Sequence, residues 1–227
     1  MLTLLWKEWH EHVWKLAFGS LILGAFALIG LRARVVADET LLEGVCILAV
    51  LLLPVLASTG LIPAERSDGT LDTLLALPVR PLKIFAAKTI MGVVLCAGPI
   101  LFTAIISLAI AGEREAPSLA IASLFVRTLA ATLSLLFWMI CATVNLPNET
   151  RAALIALGVQ IIWLLLTPAL DVAGQLPWLL SPYVFLFGFD PGFHVRVVVA
   201  ATVQAGIAAL LWWWTASQFS ALSEGKQ

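Results

Sequence analysis

Charge is scarce in this chain. Of its 227 residues only 12% are Asp, Glu, Lys or Arg, against 61% hydrophobic, and the mean hydropathy is +1.02. A soluble domain of that composition would have too little polar surface to cover itself, so that class is excluded. The net charge of -1, with no basic patch, excludes steering toward nucleic acid. Cysteine is nearly absent too: Cys46, Cys96 and Cys141 each lie in an apolar run and form no C-x-x-C pair, which leaves them as small packing residues. There is no G-x-x-x-x-G-K-[ST] phosphate loop, no G-x-S-x-G, no H-E-x-x-H and no pair of intramembrane aspartates. The chain therefore cannot hydrolyse ATP alone, and an intramembrane enzyme is disfavoured. His10-Glu11-His12 fails as a zinc site, because two histidines two apart point to nearly opposite sides of a helix and Glu8 with His12 supplies only two ligands.

What is abundant is long apolar sequence. Runs of about 20 residues, enough to cross a bilayer, fall at 17–36, 41–62, 84–112, 118–146, 152–170 and 197–217. They are apolar on every side rather than alternating, which excludes strands of a membrane barrel. The expected fold is an all-α integral membrane protein of six transmembrane helices in one domain, residues 17–217, followed by a tail at 218–227. The first sixteen residues carry charge throughout and are no cleavable signal. They read as an amphipathic interfacial helix, with Leu2, Leu5, Trp6, Trp9, Val13 and Leu16 on one face and Lys7, Glu8, Glu11 and Lys15 on the other. With the amino terminus in the cytosol, eight of the thirteen basic residues fall inside and four outside, Arg127 lying within a span. That bias places both termini in the cytosol.

Between the second and third spans lies the least membrane-like segment, Pro63 to Lys83. Ser67 or Asp68 can cap a short helix there and Pro78 stops it after two to three turns. Leu71, Leu74, Leu75 and Pro78 share one face by their i, i+3, i+4, i+7 spacing, with Asp68, Asp72 and Thr73 elsewhere.

Glu65-Arg66, Gly69-Thr70-Leu71-Asp72, Leu74-Leu75, Pro78-Val79 and Lys88 together resemble the coupling-helix region of ABC-2-type permeases, the membrane subunits of ATP-driven exporters. Asp72 stands where that family commonly has a glutamate. The amphipathic start resembles the family's connecting helix, and the rest of the chain agrees in layout. The resemblance implies a permease of the cytoplasmic (inner) membrane that moves a substrate outward. Its partners would be a separate cytosolic ABC ATPase, which binds the ATP and Mg, and a second permease copy or a related permease as a dimer. Glu65, Arg66, Gly69, Thr70, Leu71, Asp72, Leu74, Leu75 and Pro78 would then be the ATPase-coupling residues. The alternative is a six-span partner in cofactor maturation, such as haem handling for cytochrome c biogenesis, for which His194 offers thin support.

Two further features bear on a transport pathway. Residues 171–196 are rich in Pro, Gly and aromatics, in apolar pieces too short to span, and so belong in the outer interface or dip in and return. The family has short external helices at this place, which makes Tyr183, Phe185, Phe187 and Phe189 gate candidates. Arg127 stands about nine residues into the fourth span, where an unpaired cation is expensive, with Glu43 and Asp171 as possible partners. Asn145, Gln160 and Gln204 are read as hydrogen-bonding glue between helices. Trp212, Trp213 and Trp214 read as an interfacial belt, and Trp138 and Trp163 as core packing.

Overall fold

The computed structural model describes residues 2–33, 38–76, 79–112, 118–173, 179–187 and 194–224. Every regular element among them is helical: α1 (Leu2–Ala33), α2 (Asp38–Leu61), α3 (Pro63–Ser67), α4 (Thr70–Leu75), α5 (Pro81–Gly112), α6 (Ser118–Thr143), α7 (Glu149–Ala173), α8 (Val184–Phe187) and α9 (His194–Glu224). Six of them, α1, α2, α5, α6, α7 and α9, are long and apolar enough to cross a membrane. The chain is a multi-pass membrane protein.

The helices at the centre of the bundle are α2, α5 and α6. Half of the most apolar stretch of α2 is buried, whereas α1, α7 and α9 bury only 17% of theirs, which leaves their outer faces to lipid or to another subunit. Packing between helices in lipid depends on close approach rather than on hydrophobic exclusion, and small residues permit it. The most extensive contact, α1 on α5, shows this. A Cβ on Gly24 would come within 2.9 Å of the Phe102 ring, and one on Gly98 within 2.8 Å of Leu16.

Three differences from the sequence reading are physical. The segment expected as a separate interfacial helix is the first half of one continuous α1, because nothing between Leu16 and Ala17 breaks the helix. Its inward stripe is polar: Glu8 and His12 are buried, while Trp6, Trp9 and Trp14 are exposed. The short helix after α2 is two pieces rather than one. Ser67 does not cap the second; its hydroxyl donates back to the Ala64 carbonyl, and Asp68 closes α3. The joint is Gly69, at φ 71° in the left-handed region that glycine enters without strain, and it caps α4 through its backbone.

Polar side chains knit the bundle at depth. Gln160 of α7 donates to the Val50 carbonyl of α2 at 2.8 Å, and Gln204 of α9 to the carbonyls of Leu179 and Ser181. Asn145 donates to Gln218 near the other end. Trp138 and Trp163 meet edge to face with ring centroids 5.0 Å apart, as core packing requires.

Candidate functional site

At the end of the bundle where α2 gives way to α3, five charged or ionisable side chains from three elements converge. Lys88, on the second turn of α5, is 1% exposed, Glu8 of α1 is 3% and Glu65 of α3 is 7%. The Lys88 ammonium donates to Glu8 Oε1 at 3.0 Å and to the Leu61 carbonyl at 3.0 Å, and lies 2.7 Å from Glu65 Oε2 as an ion pair. Glu65 Oε1 accepts from Lys7 at 3.0 Å, and Lys7 in turn pairs with Glu11 at 3.2 Å.

His12 completes the arrangement. Its Nδ1 lies 3.0 Å from the Glu8 carbonyl and its Nε2 3.1 Å from the Gly60 carbonyl. Both ring nitrogens thus face carbonyl oxygens, one on α1 itself and one at the end of α2. Glu8, Glu11 and His12 bring one donor atom each within 4.8 Å of one another. Glu8 Oε1 serves Lys88, Glu11 serves Lys7 and His12 Nε2 faces the Gly60 carbonyl, ties from α1 to α5 and α2, while Glu8 Oε2 has no hydrogen-bond partner among the described residues.

Of the coupling residues read from the sequence, the structure joins Glu65 and Arg66 to the bundle. Arg66 donates to the Leu146 carbonyl at 3.0 Å, in the turn between α6 and α7. Burial lowers the Arg66 guanidinium from its usual value, and the Asp72 carboxylate nearby opposes that shift. Thr70 donates to the Glu65 carbonyl across the Gly69 joint. Leu71 and Leu74 are buried against the chain's own core and Leu75 packs beside them, so the apolar face of α4 points inward. What faces outward is Asp72, Thr73 and Ala76. Pro78 lies outside the described residues.

The gate candidates divide. Tyr183 and Phe185 are 2% and 3% exposed, in a small core with Val50, Leu135 and Ala200. These contacts hold residues 179–187 against α2, α6 and α9. Phe185 also lines a groove of about 530 Å³ against α6 and α9. Phe187 ends α8 with its side chain outside the described set, as is Phe189.

Arg127 is half-buried on α6, and its Nε has no hydrogen-bond partner among the described residues. No ion pair to Glu43 forms, and Asp171's side chain lies outside the described set. Since desolvation of a lone cation is unfavourable, Arg127→Met is expected to leave the fold intact and raise its stability by about 1 kcal/mol. A fall in the melting temperature of the detergent-solubilised variant would show that the guanidinium is paired.

Sequence reasoning missed the role of Glu8 and set His12 aside. A usable signal was Lys88 itself: a lysine five residues into an expected span needs a carboxylate at its own depth, and Glu8 and Glu65 flank the same membrane surface.

Six helices long and apolar enough to cross a membrane carry a broken helix pair tied to them by buried charge, the layout of a multi-pass membrane subunit. A family model described as ABC-2 family transporter protein matches residues 5–167, and the chain belongs to that family. The match runs from the start of α1 through most of α7. No curated protein matches the chain. Its membership makes it a membrane transport subunit, not itself catalytic, of an ABC export system.

Proposed function

We propose that this permease couples to a separate cytosolic ATPase through α3 and α4, and that nucleotide-driven closure of that partner rearranges the spanning helices to export a substrate across the cytoplasmic membrane. The observation that carries this reading is the buried Lys88 cluster. Glu65 ties α3 to α5 and, through Lys7, to α1, while Arg66 ties it to the turn before α7. A push on α3 or α4 therefore acts on three spanning helices together. The docking face on this reading is the outward side of α4, Asp72 and Ala76, one helical turn apart. The exposed apolar faces of α1, α7 and α9 favour a dimer with a second copy or a related permease.

The topology that this requires is testable in whole cells. Cysteines introduced at Glu115 and Gly174 are expected to react with an impermeant thiol reagent, and cysteines at Asp68 and Glu224 to react only after the membrane is opened. Reaction at Asp68 from outside would put the segment beyond reach of any cytosolic ATPase.

A further inference from the structure

A charge-lined void and an apolar one meet at one side chain. A cavity of about 520 Å³ with charged side chains of both signs lies between the first half of α1 and the α3–α4 pair, with Lys7, Glu11, His12, Lys15, Glu65 and Asp68 in its wall. An apolar groove of about 260 Å³ runs between α1 and α2, walled by Phe18, Gly19, Ile22, Leu52 and Leu56. Lys15 lines both.

The depth of that junction follows from α1. Eighteen residues separate Lys15 from the helix end at Ala33, about 27 Å of rise and nearly one hydrocarbon thickness. Lys15 therefore sits at headgroup level, and the groove runs from it about two helical turns into the acyl region. Its ammonium rests over Gly60 at the end of α2, where a Cβ would meet it at 2.7 Å.

The charges at the junction are uncompensated, in contrast to their neighbours. Lys7 and Lys88 are held by carboxylates. Lys15 and Asp68 line the same cavity, yet neither side chain has an ion pair or hydrogen bond among the described residues. One open cation and one open anion above an apolar groove complement a molecule with a phosphate, a protonated amine and an acyl chain. We propose that this is a binding site for an aminophospholipid, phosphatidylethanolamine, with one chain in the α1–α2 groove, its phosphate against Lys15 and its ammonium against Asp68.

Native mass spectrometry of the full chain in detergent, titrated with dioleoyl phosphatidylethanolamine, phosphatidylcholine or phosphatidylglycerol, tests it. One phosphatidylethanolamine is expected to be retained about fivefold tighter than either other lipid, the equivalent of the ~1 kcal/mol of one net hydrogen bond, here from its ammonium to Asp68, which neither a choline nor a glycerol headgroup can make as a charged donor. Lys15→Gln should lose about that factor, Lys15→Arg should keep the binding, and Asp68→Asn should make phosphatidylethanolamine and phosphatidylglycerol equal. Leu56→Trp, which fills the groove, should abolish retention. Equal binding of the three lipids, wild-type behaviour of Lys15→Gln or Leu56→Trp, or binding of soluble glycerophosphoethanolamine as tight as that of the lipid would each overturn the site. Unchanged helicity and elution volume identify variants that still fold.

Discussion

Lys88→Met is expected to lower stability by about 3–5 kcal/mol, the largest effect of any single substitution in the chain. The substitution removes a cation and leaves two carboxylates, Glu8 and Glu65, facing each other in a site almost closed to water. Breaking a buried pair in this way is strongly unfavourable because Glu8 loses its cation with little solvent to replace it, while Glu65 keeps only Lys7. A loss of that size corresponds to a fall of about 10 °C in the melting temperature of a chain this long. Neutralising an acid as well should recover part of it, so Glu8→Gln in the Lys88→Met background is expected to melt several degrees above Lys88→Met alone. Thermal melting of the detergent-solubilised variants checks both statements. If Lys88→Met melts with the wild type, the ammonium is not the tie that the geometry makes it.

The second large effect separates the inner from the outer side of α4. Asp72→Arg together with Ala76→Arg is expected to weaken capture of the partner ATPase by at least about 30-fold, the equivalent of one interface contact of ~2 kcal/mol. Both positions are exposed, so the permease itself should remain folded. Leu71→Asp together with Leu74→Asp should behave differently. Those side chains are buried in the bundle's own core, and an aspartate there forfeits their packing and buries an unpaired charge. Its expected signature is a lower melting temperature and loss of the folded permease, with partner loss only as a consequence. Co-purification of the tagged permease with its ATPase, read beside the melting curve of each variant, distinguishes the two. An intact complex in the Asp72→Arg, Ala76→Arg variant would remove α4 as the docking element.

Part of the candidate site was legible from composition and spacing. Glu65, Arg66, Gly69 and Lys88 stood out because charge and glycine are rare here and each demands a reason. Gly69 has one that is local: only the left-handed backbone at that joint turns α3 into α4. The direction of the leucine face was not legible. A helix of six residues with three leucines can turn them toward a partner or toward its own bundle with the same periodicity, and only the bundle's geometry chooses.

By itself the sequence determined that this is an all-helical membrane protein of six spans, because unbroken apolar runs of bilayer length admit no other satisfied backbone. It also determined where the least membrane-like segment lies, since Pro63 to Lys83 concentrates the charge that the spans exclude. Tertiary structure alone decided which charges meet. Glu8 and Lys88 are eighty residues apart and become partners only because α1 packs along α5 at glycine contacts, which sets both side chains at one depth. It decided likewise that Tyr183 and Phe185 are buried between helices, and that Lys15 and Asp68 line one cavity with no side-chain partner among the described residues. Local pattern fixes which face of a helix is apolar, but a pair of opposite charges is a property of two helices and of the distance between them.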